Sequence, residues 1–427
     1  MHYLCATMSG RFFLYTVILL VSLSGAFLAS CDRDEPVTPG PEPEPEPVYD
    51  ASRTVLVYQV ATKNGLDRLS LADLAEMKQA VADGQLGENG RLLVYNHYGS
   101  EMPVLLDVTP DGTDTLKIYD LSLLSVQADR MLEVFDDMET FASAPDYGLI
   151  LWGHGTGWLQ DGIADRVPEI APLSYGGQNA SQWMNIDVLA QTVEAGPDFS
   201  FVYFDCCHMA SVEVAYEMRN ATPYIIGCVS ELPGEGMPYH LNVANFFAEG
   251  APDVIGAAAT TFNYYDEWLA AGRRPECSPS TFSSRYAAMS VIATEGLGRL
   301  AEITADIYAS TPGSYPEGFE PQRFGRRVTG LYDYYFDFGQ YVEALCVGAD
   351  GAERFSGAAS KLAAFREALG DCVPYAATMP YLFGGTTVMN YHCGLSTYIL
   401  QSTSDVATNN YGTLSWYDDV ASRLKLN

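Results

Sequence analysis

The stretch V-Y-F-D-C-C-H-M-A-S-V-E-V at Val202–Val214 decides how this chain folds, read together with L-W-G-H-G-T-G-W at Leu151–Trp158. Each is an apolar, strand-like run that ends abruptly on a reactive side chain. The first delivers Asp205 and then the paired cysteines Cys206 and Cys207. The second delivers His154 between Gly153 and Gly155, 53 positions before Cys207. A thiol needs a nearby base to become a good nucleophile at neutral pH. A histidine at one strand end and a cysteine at another supply both halves of that arrangement.

The surrounding sequence alternates strand-like and helix-like segments. Thr54–Ala61, Arg91–Asn96, Tyr147–Trp152, Phe199–Phe204 and Tyr224–Val229 are β-rich runs, and Val104–Asp107 with Leu116–Tyr119 read as a hairpin around Asp111-Gly112. Between them, Ser70–Ala82, Ser125–Ala142, Ile186–Glu194 and Ser211–Arg219 carry helical spacing; in the first, Leu71, Leu74, Met77 and Val81 share one face. Near-continuous apolar strands separated by amphipathic helices predict an α/β fold with a mostly parallel central sheet covered on both faces. In such sheets reactive groups gather beyond the carboxyl ends of the strands, where both motifs lie. The later chain is less regular: Asp253–Asp266, Ser283–Ser310 and Lys361–Leu369 read as helices, and Phe383–Tyr398 mixes glycine with β-branched residues. It is expected to be a helical, partly β appendage, with the catalytic sheet about 53–270 and the appendage about 271–427.

Cys207 follows a strand just before a helix, so helix N–H groups are expected to depress its pKa. The glycines beside His154 let the backbone turn sharply, and the Gly153/Gly155 loop with the amides around Cys207 is a candidate oxyanion hole. The alternative is a buried cysteine and a loop histidine that never meet. His208 is a poor candidate base, because adjacent side chains point apart.

The formal charge of −31 argues against nucleic acid or an anionic membrane surface as partner. It weakly favours cationic substrates. The 48 % hydrophobic content is enough for a large core. Among nine cysteines no repeated spacing suggests a disulfide framework, and no CxxC or His/Cys cluster has zinc spacing. No Walker loop, G-x-S-x-G elbow, H-E-x-x-H or EF-hand loop is present. No cofactor is expected; calcium stays open, without a motif to support it.

Residues 1–31 read as an export signal: Arg11, an apolar run Phe12–Ala29, then Leu28-Ala29-Ser30-Cys31. That ending resembles a bacterial lipobox, in which Cys31 is lipidated and becomes the mature N-terminus. An ordinary signal peptide with a chance cysteine is the alternative. The acidic, proline-rich segment 32–52 is expected to be an extended tether. Its acidic residues resemble the surface-export signals of Bacteroidetes lipoproteins.

Gly153-His154-Gly155-Thr156-Gly157-Trp158 and Phe204–Ala215 resemble the two signature blocks of the clostripain family of cysteine peptidases. Pro233-Gly234-Glu235-Gly236-Met237-Pro238-Tyr239 and Cys393-Gly394-Leu395-Ser396-Thr397-Tyr398 match further, so the resemblance covers about residues 53–427. It implies a caspase-like three-layer αβα sandwich and an endopeptidase that cuts after Arg or Lys, with His154 as base and Cys207 as nucleophile. One position departs from the family pattern: Cys206 stands where a small residue such as alanine is usual. Counting back from Met209 and Glu213 keeps the nucleophile at Cys207, and alternation along the strand sends Cys206 to the opposite side.

The resemblance also places Asp205 near the primary specificity pocket, where a carboxylate would pair with a basic side chain. A carboxylate that merely orients a loop is the alternative. Glu231 and Glu235 are further candidates for lining that pocket, the alternative for each being a merely solvated acid. Family members are often cut between the two blocks, and Arg166 is the one basic residue between His154 and Cys207. A non-enzymatic reading, a surface lipoprotein that binds peptides or mediates adhesion, competes with the peptidase and is disfavoured by the intact His and Cys pair.

If Cys31 carries lipid, the mature chain partitions into detergent and incorporates labelled palmitate, and Cys31→Ser releases it. A soluble mature chain beginning at another residue would contradict the anchor.

Overall fold

The structure, a computed structural model, describes residues 48–159, 174–179, 181–268, 287–326, 333–383, 386–400, 402 and 410–426. The signal segment with Cys31, most of the proline-rich tether and Arg166 lie outside the described residues.

The chain opens with β1 (Arg53–Ala61), T-V-L-V-Y-Q-V-A after Arg53, buried along its whole length. Helix α1 (Asp67–Ala82) returns to β2 (Gly90–Tyr98), and a hairpin of β3 (Val104–Thr109) and β4 (Gly112–Ile118) follows. Helix α2 (Ala128–Phe141) leads to β5 (Tyr147–Trp152), also wholly buried. A small antiparallel sheet comes next: β6 (His154–Gly155), β7 (Tyr175–Gln178) and β8 (Gln182–Met184). Then come α3 (Ile186–Glu194), β9 (Phe199–Asp205), α4 (Val212–Glu217), β10 (Tyr224–Cys228), α5 (Tyr239–Phe246), α6 (Val254–Asn263), β11 (Ala288–Ala293) and α7 (Leu297–Ser310). The later part contributes β12 (Phe336–Asp337), α8 (Phe338–Cys346), α9 (Ala358–Cys372) and β13 (Tyr375–Thr378).

The nine-stranded sheet has the order β13-β11-β10-β9-β5-β1-β2-β3-β4. Its centre, β10-β9-β5-β1-β2, is parallel throughout, and antiparallel pairs flank it on both sides. Burial explains the sequence pattern: β1, β5 and β9 face helices on both sides and so need apolar side chains at nearly every position. Edge strand β4 has no such cover and reads G-T-D-T-L-K-I. Helices α1, α5 and α6 pack on one another over one face, and α2, α3 and α4 cover the other. The result is the three-layer αβα sandwich of caspase-like type; the boundary expected near residue 270 is corrected, because β11 and β13 of the central sheet come from the later part of the chain.

Residues of the later chain grip the segment that follows Cys207. Glu213 Oε1 accepts from Tyr398 N at 2.8 Å, Thr397 Oγ1 at 2.9 Å and the Tyr411 hydroxyl at 2.9 Å. Ser396 N–H donates to Ala210 O at 3.0 Å. The block Cys393–Tyr398 thus serves as a brace for the start of α4.

Two readings of the sequence need correction. Residues Ala288–Ala293, taken into one long helix over Ser283–Ser310, form strand β11, and the helix begins at Leu297. Six residues of A-M-S-V-I-A fit either period, and pairing with both β10 and β13 decides for the strand. In α1, Leu71 is 43 % exposed, whereas Ser70, Asp73 and Glu76 are buried. The inner face of that helix is partly polar because it backs the site.

Candidate active site

Register places the reactive residues. Trp152, the last residue of β5, pairs with Asp205, the last residue of β9. His154 and Cys207 each lie two residues beyond these level strand ends, on adjacent strands. Gly155 makes the close approach achievable: a Cβ there would stand 2.6 Å from Cys207 O and 2.7 Å from Cys206 Cβ. Only glycine lets the histidine loop rest directly on the cysteine backbone. Tyr335 holds the two loops from beneath. Its hydroxyl donates to Thr156 O, and its ring stacks on His208 with centroids 4.2 Å apart.

His154 is partly buried, with Nε2 2.9 Å from Asn64 O. A carbonyl can only accept, so this contact fixes the proton on Nε2 and leaves Nδ1 as the basic nitrogen. Asn64 is itself fixed at the end of β1, its Nδ2 donating to Val60 O at 2.9 Å and its Oδ1 accepting from Leu66 N at 3.2 Å. The orienting carbonyl belongs to the main chain, so no residue type announced it in the sequence.

The two cysteines part ways as the alternation argument predicts. Cys206 is 2 % exposed, and its thiol donates to Leu151 O at 3.0 Å, beneath β5. Cys207 is partly exposed and lies against Leu232, whose N–H reaches the sulfur at 3.4 Å and whose carbonyl stands 3.7 Å away. The expected depression of its pKa is corrected. Helix α4 starts only at Val212, capped by Ser211 Oγ, so its N-terminus does not face the thiol. Burial, and after it the charge of Glu231, push Cys207 up to about 12. His208, with φ +61°, turns inward, is fully buried and is pushed down to about 3 by that burial. It stays neutral, as expected of a residue outside the chemistry.

Asp205 is 4 % exposed. Its Oδ1 accepts from Met237 N at 2.9 Å and its Oδ2 from the Tyr239 hydroxyl at 3.0 Å, so it ties the Pro233–Tyr239 block to the strand end. Burial raises it to about 7, against the pull of these two hydrogen bonds. Glu231 is 9 % exposed and pairs with Arg326 at 3.1 Å. The Gly153 N–H is directed at Asp205 O at 3.5 Å, and the His208 N–H donates to Ser230 O at 2.9 Å.

Two carboxylates escaped the sequence reading. Asp73 accepts from Trp152 Nε1 at 2.6 Å, and Glu76 Oε2 accepts from Tyr239 N at 3.0 Å. Burial, then the nearby Asp205 and Glu76, hold Asp73 well above the usual carboxylate range. With Glu235 they line a cavity of about 10 Å³, room for about one water. The signal was present in the sequence as two acids three apart on the inner face of α1.

The clostripain family model matches residues 57–301, and the chain belongs to that family of cysteine peptidases. It is similar to an inactive zymogen C11 protease from Parabacteroides distasonis at 27 % identity, with 88 % of this chain and 99 % of that one covered and a TM-score of 0.69. A secreted C11 cysteine protease from Bacteroides thetaiotaomicron, solved with an irreversible peptide inhibitor, is 27 % identical over 86 % of this chain and 99 % of that one, with a TM-score of 0.67. Comparison with curated proteins gives no match.

The raised thiol predicts how the resting site reacts. Alkylation of Cys207 by iodoacetamide should be slow at neutral pH and rise about tenfold per pH unit up to at least about pH 10. Mass mapping should find Cys206 unlabelled. A rate that levels off near neutral pH would show a preformed thiolate and contradict this description.

Proposed function

We propose that this cysteine peptidase is an exported endopeptidase, anchored through Cys31, that hydrolyses peptide bonds after Arg or Lys. The observation that supports the catalytic part is the level pairing of Trp152 with Asp205, from whose neighbouring ends the chain runs on two residues to His154 and to Cys207. His154 Nδ1 takes the Cys207 proton as the sulfur attacks the scissile carbonyl carbon. With a thiol this far above neutral pH, proton transfer and attack proceed together rather than from a standing ion pair. The imidazolium then protonates the leaving amine, the C–N bond breaks and a thioester remains. Water, deprotonated by His154, hydrolyses it and returns the proton to the thiol.

Gly155 is the oxyanion donor of the glycine loop. Thr156 N–H donates to Ser174 O at 3.1 Å, so Gly155 occupies the non-hydrogen-bonded position of the β6–β7 ladder. Its own N–H therefore points away from β7 and is available to a developing oxyanion. Gly153 and His208 have their N–H groups engaged elsewhere, which leaves the amide of Cys207 as the second donor.

Asp205 supplies the charge for a basic side chain, and Glu231 lines the approach. A cation entering the pocket ionises Asp205, so kcat/KM for an Arg peptide should rise with pH through a value near 7. The acid beside the thiol, Glu231, already holds a guanidinium, that of Arg326, which supports its affinity for such groups. Self-cleavage after Arg166 would open the site. The zymogen state of the Parabacteroides relative is consistent with such a step. The secreted state of the Bacteroides relative supports export. Among the described residues no helix is long and apolar enough to cross a membrane.

A fluorogenic Arg or Lys peptide, assayed with and without thiol alkylation, tests the activity. Cys207→Ala should abolish hydrolysis while Cys206→Ala keeps most of it; the reverse outcome would overturn the assignment. Asp205→Asn should lower kcat/KM for basic peptides by about a hundredfold, roughly 2–3 kcal/mol, and for neutral peptides far less. Equal losses on both would mean that Asp205 only holds its loop.

Processing is checked by N-terminal sequencing after incubation. A fragment beginning at Val167 in the wild type, absent from Cys207→Ala, is the expected result, and an active, uncut chain would rule it out.

A further inference from the structure

Next to His154 stands an aromatic side chain that the reaction steps above do not use. The small sheet β6-β7-β8 pairs His154 with Gly176 and continues through β7 to β8, which carries Trp183. The imidazole and the indole lie on either side of Gly177, with ring centroids 6.0 Å apart. Gly177 has φ +70°, and a Cβ there would stand 3.1 Å from His154 Cδ2 and 3.1 Å from the Trp183 ring. The absence of a side chain at this position brings the two rings together. Trp183 is only partly buried, and its Nε1–H, itself buried, has no hydrogen-bond partner among the described residues. A buried indole N–H without an acceptor is uncommon, because losing its water is not compensated.

The direction of the chemistry says what passes this point. His154 must hand its proton to the leaving amine, so the substrate segment beyond the scissile bond runs past the imidazole. Trp183 flanks the same imidazole on its Cδ2 side. We propose that Trp183 is the wall of the leaving-group subsite. The exposed part of its ring packs against an apolar side chain on the first residue after the cut. This inference rests on His154 and Cys207 acting as described above. It adds a preference on the far side of the bond, independent of the charge at Asp205. A large apolar residue after Arg or Lys is then the favoured junction, and an acidic or glycine residue there is disfavoured.

The test uses the full chain and two substrate types that share one acyl part. The first is a set of internally quenched peptides with Leu, Phe, Gly or Asp after a single Arg. The second is the matching methyl ester, whose leaving group carries no side chain. Wild type should prefer Leu or Phe over Gly by about tenfold or more in kcat/KM, the scale of one well-packed apolar contact. Trp183→Ala should flatten that preference while its rate on the ester, and alkylation of Cys207 by iodoacetamide, stay within about threefold of wild type. Trp183→Phe, which keeps a ring but no donor, should retain most of the preference. A flat wild-type profile, or an undiminished one in Trp183→Ala, would overturn the proposal. An equal loss on peptide and ester would overturn it too, by assigning Trp183 to holding His154 instead. A wild type that hydrolyses neither substrate would refute the peptidase reading itself, a result distinct from all of these.

Discussion

The pairing of β5 with β9 is the constraint on which the rest of this molecule depends. Two parallel strands end level, at Trp152 and Asp205, and each chain continues two residues to a reactive side chain. A slip of one residue in either strand would turn its side chains to the other face and separate the thiol from the imidazole. The register is held by burial: every residue of β5 is buried, and all but Ser200 of β9. Several remote features protect the same alignment. Gly155 allows the loops to touch, Tyr335 links them from below, and the Glu213 network braces the segment after the thiol.

The electrostatics of the site follow from burial rather than from surface charge. Asp205, Asp73 and Cys207 are all raised, with desolvation as the first cause in each case. Such a site is set against carrying negative charge while empty. A cationic side chain reverses that balance, because it stabilises the ionised carboxylate that desolvation disfavours. The proposed selectivity for a basic residue and a resting thiol would therefore be two results of one arrangement. The chain's large negative charge does not create this effect, although it favours the approach of cationic substrates.

Much of this was legible in the sequence, and the reasons are local. The parallel strands declared themselves as continuous apolar runs, and Tyr147–Trp152 and Ile186–Glu194 have the bounds expected of them. Counting back from Met209 and Glu213 picked Cys207, and strand alternation sent Cys206 to the other side, where the structure has it. What stayed hidden depends on contacts between distant segments. Asn64 acts through its carbonyl, which every residue possesses, so no residue type could reveal it. Strand β11 is too short for its period to decide. The helix dipole expected to lower the thiol fails because four residues separate Cys207 from the helix start at Val212, and burial then sets the sign.

The most direct test of the central claim is covalent capture. The chain is incubated with a peptidyl-arginine chloromethyl ketone, digested, and the adduct located by mass spectrometry, with His154→Ala run in parallel. The account predicts a single adduct on Cys207, and markedly slower labelling in His154→Ala. An adduct on Cys206 or another cysteine, or labelling of Cys207 indifferent to His154, would contradict it.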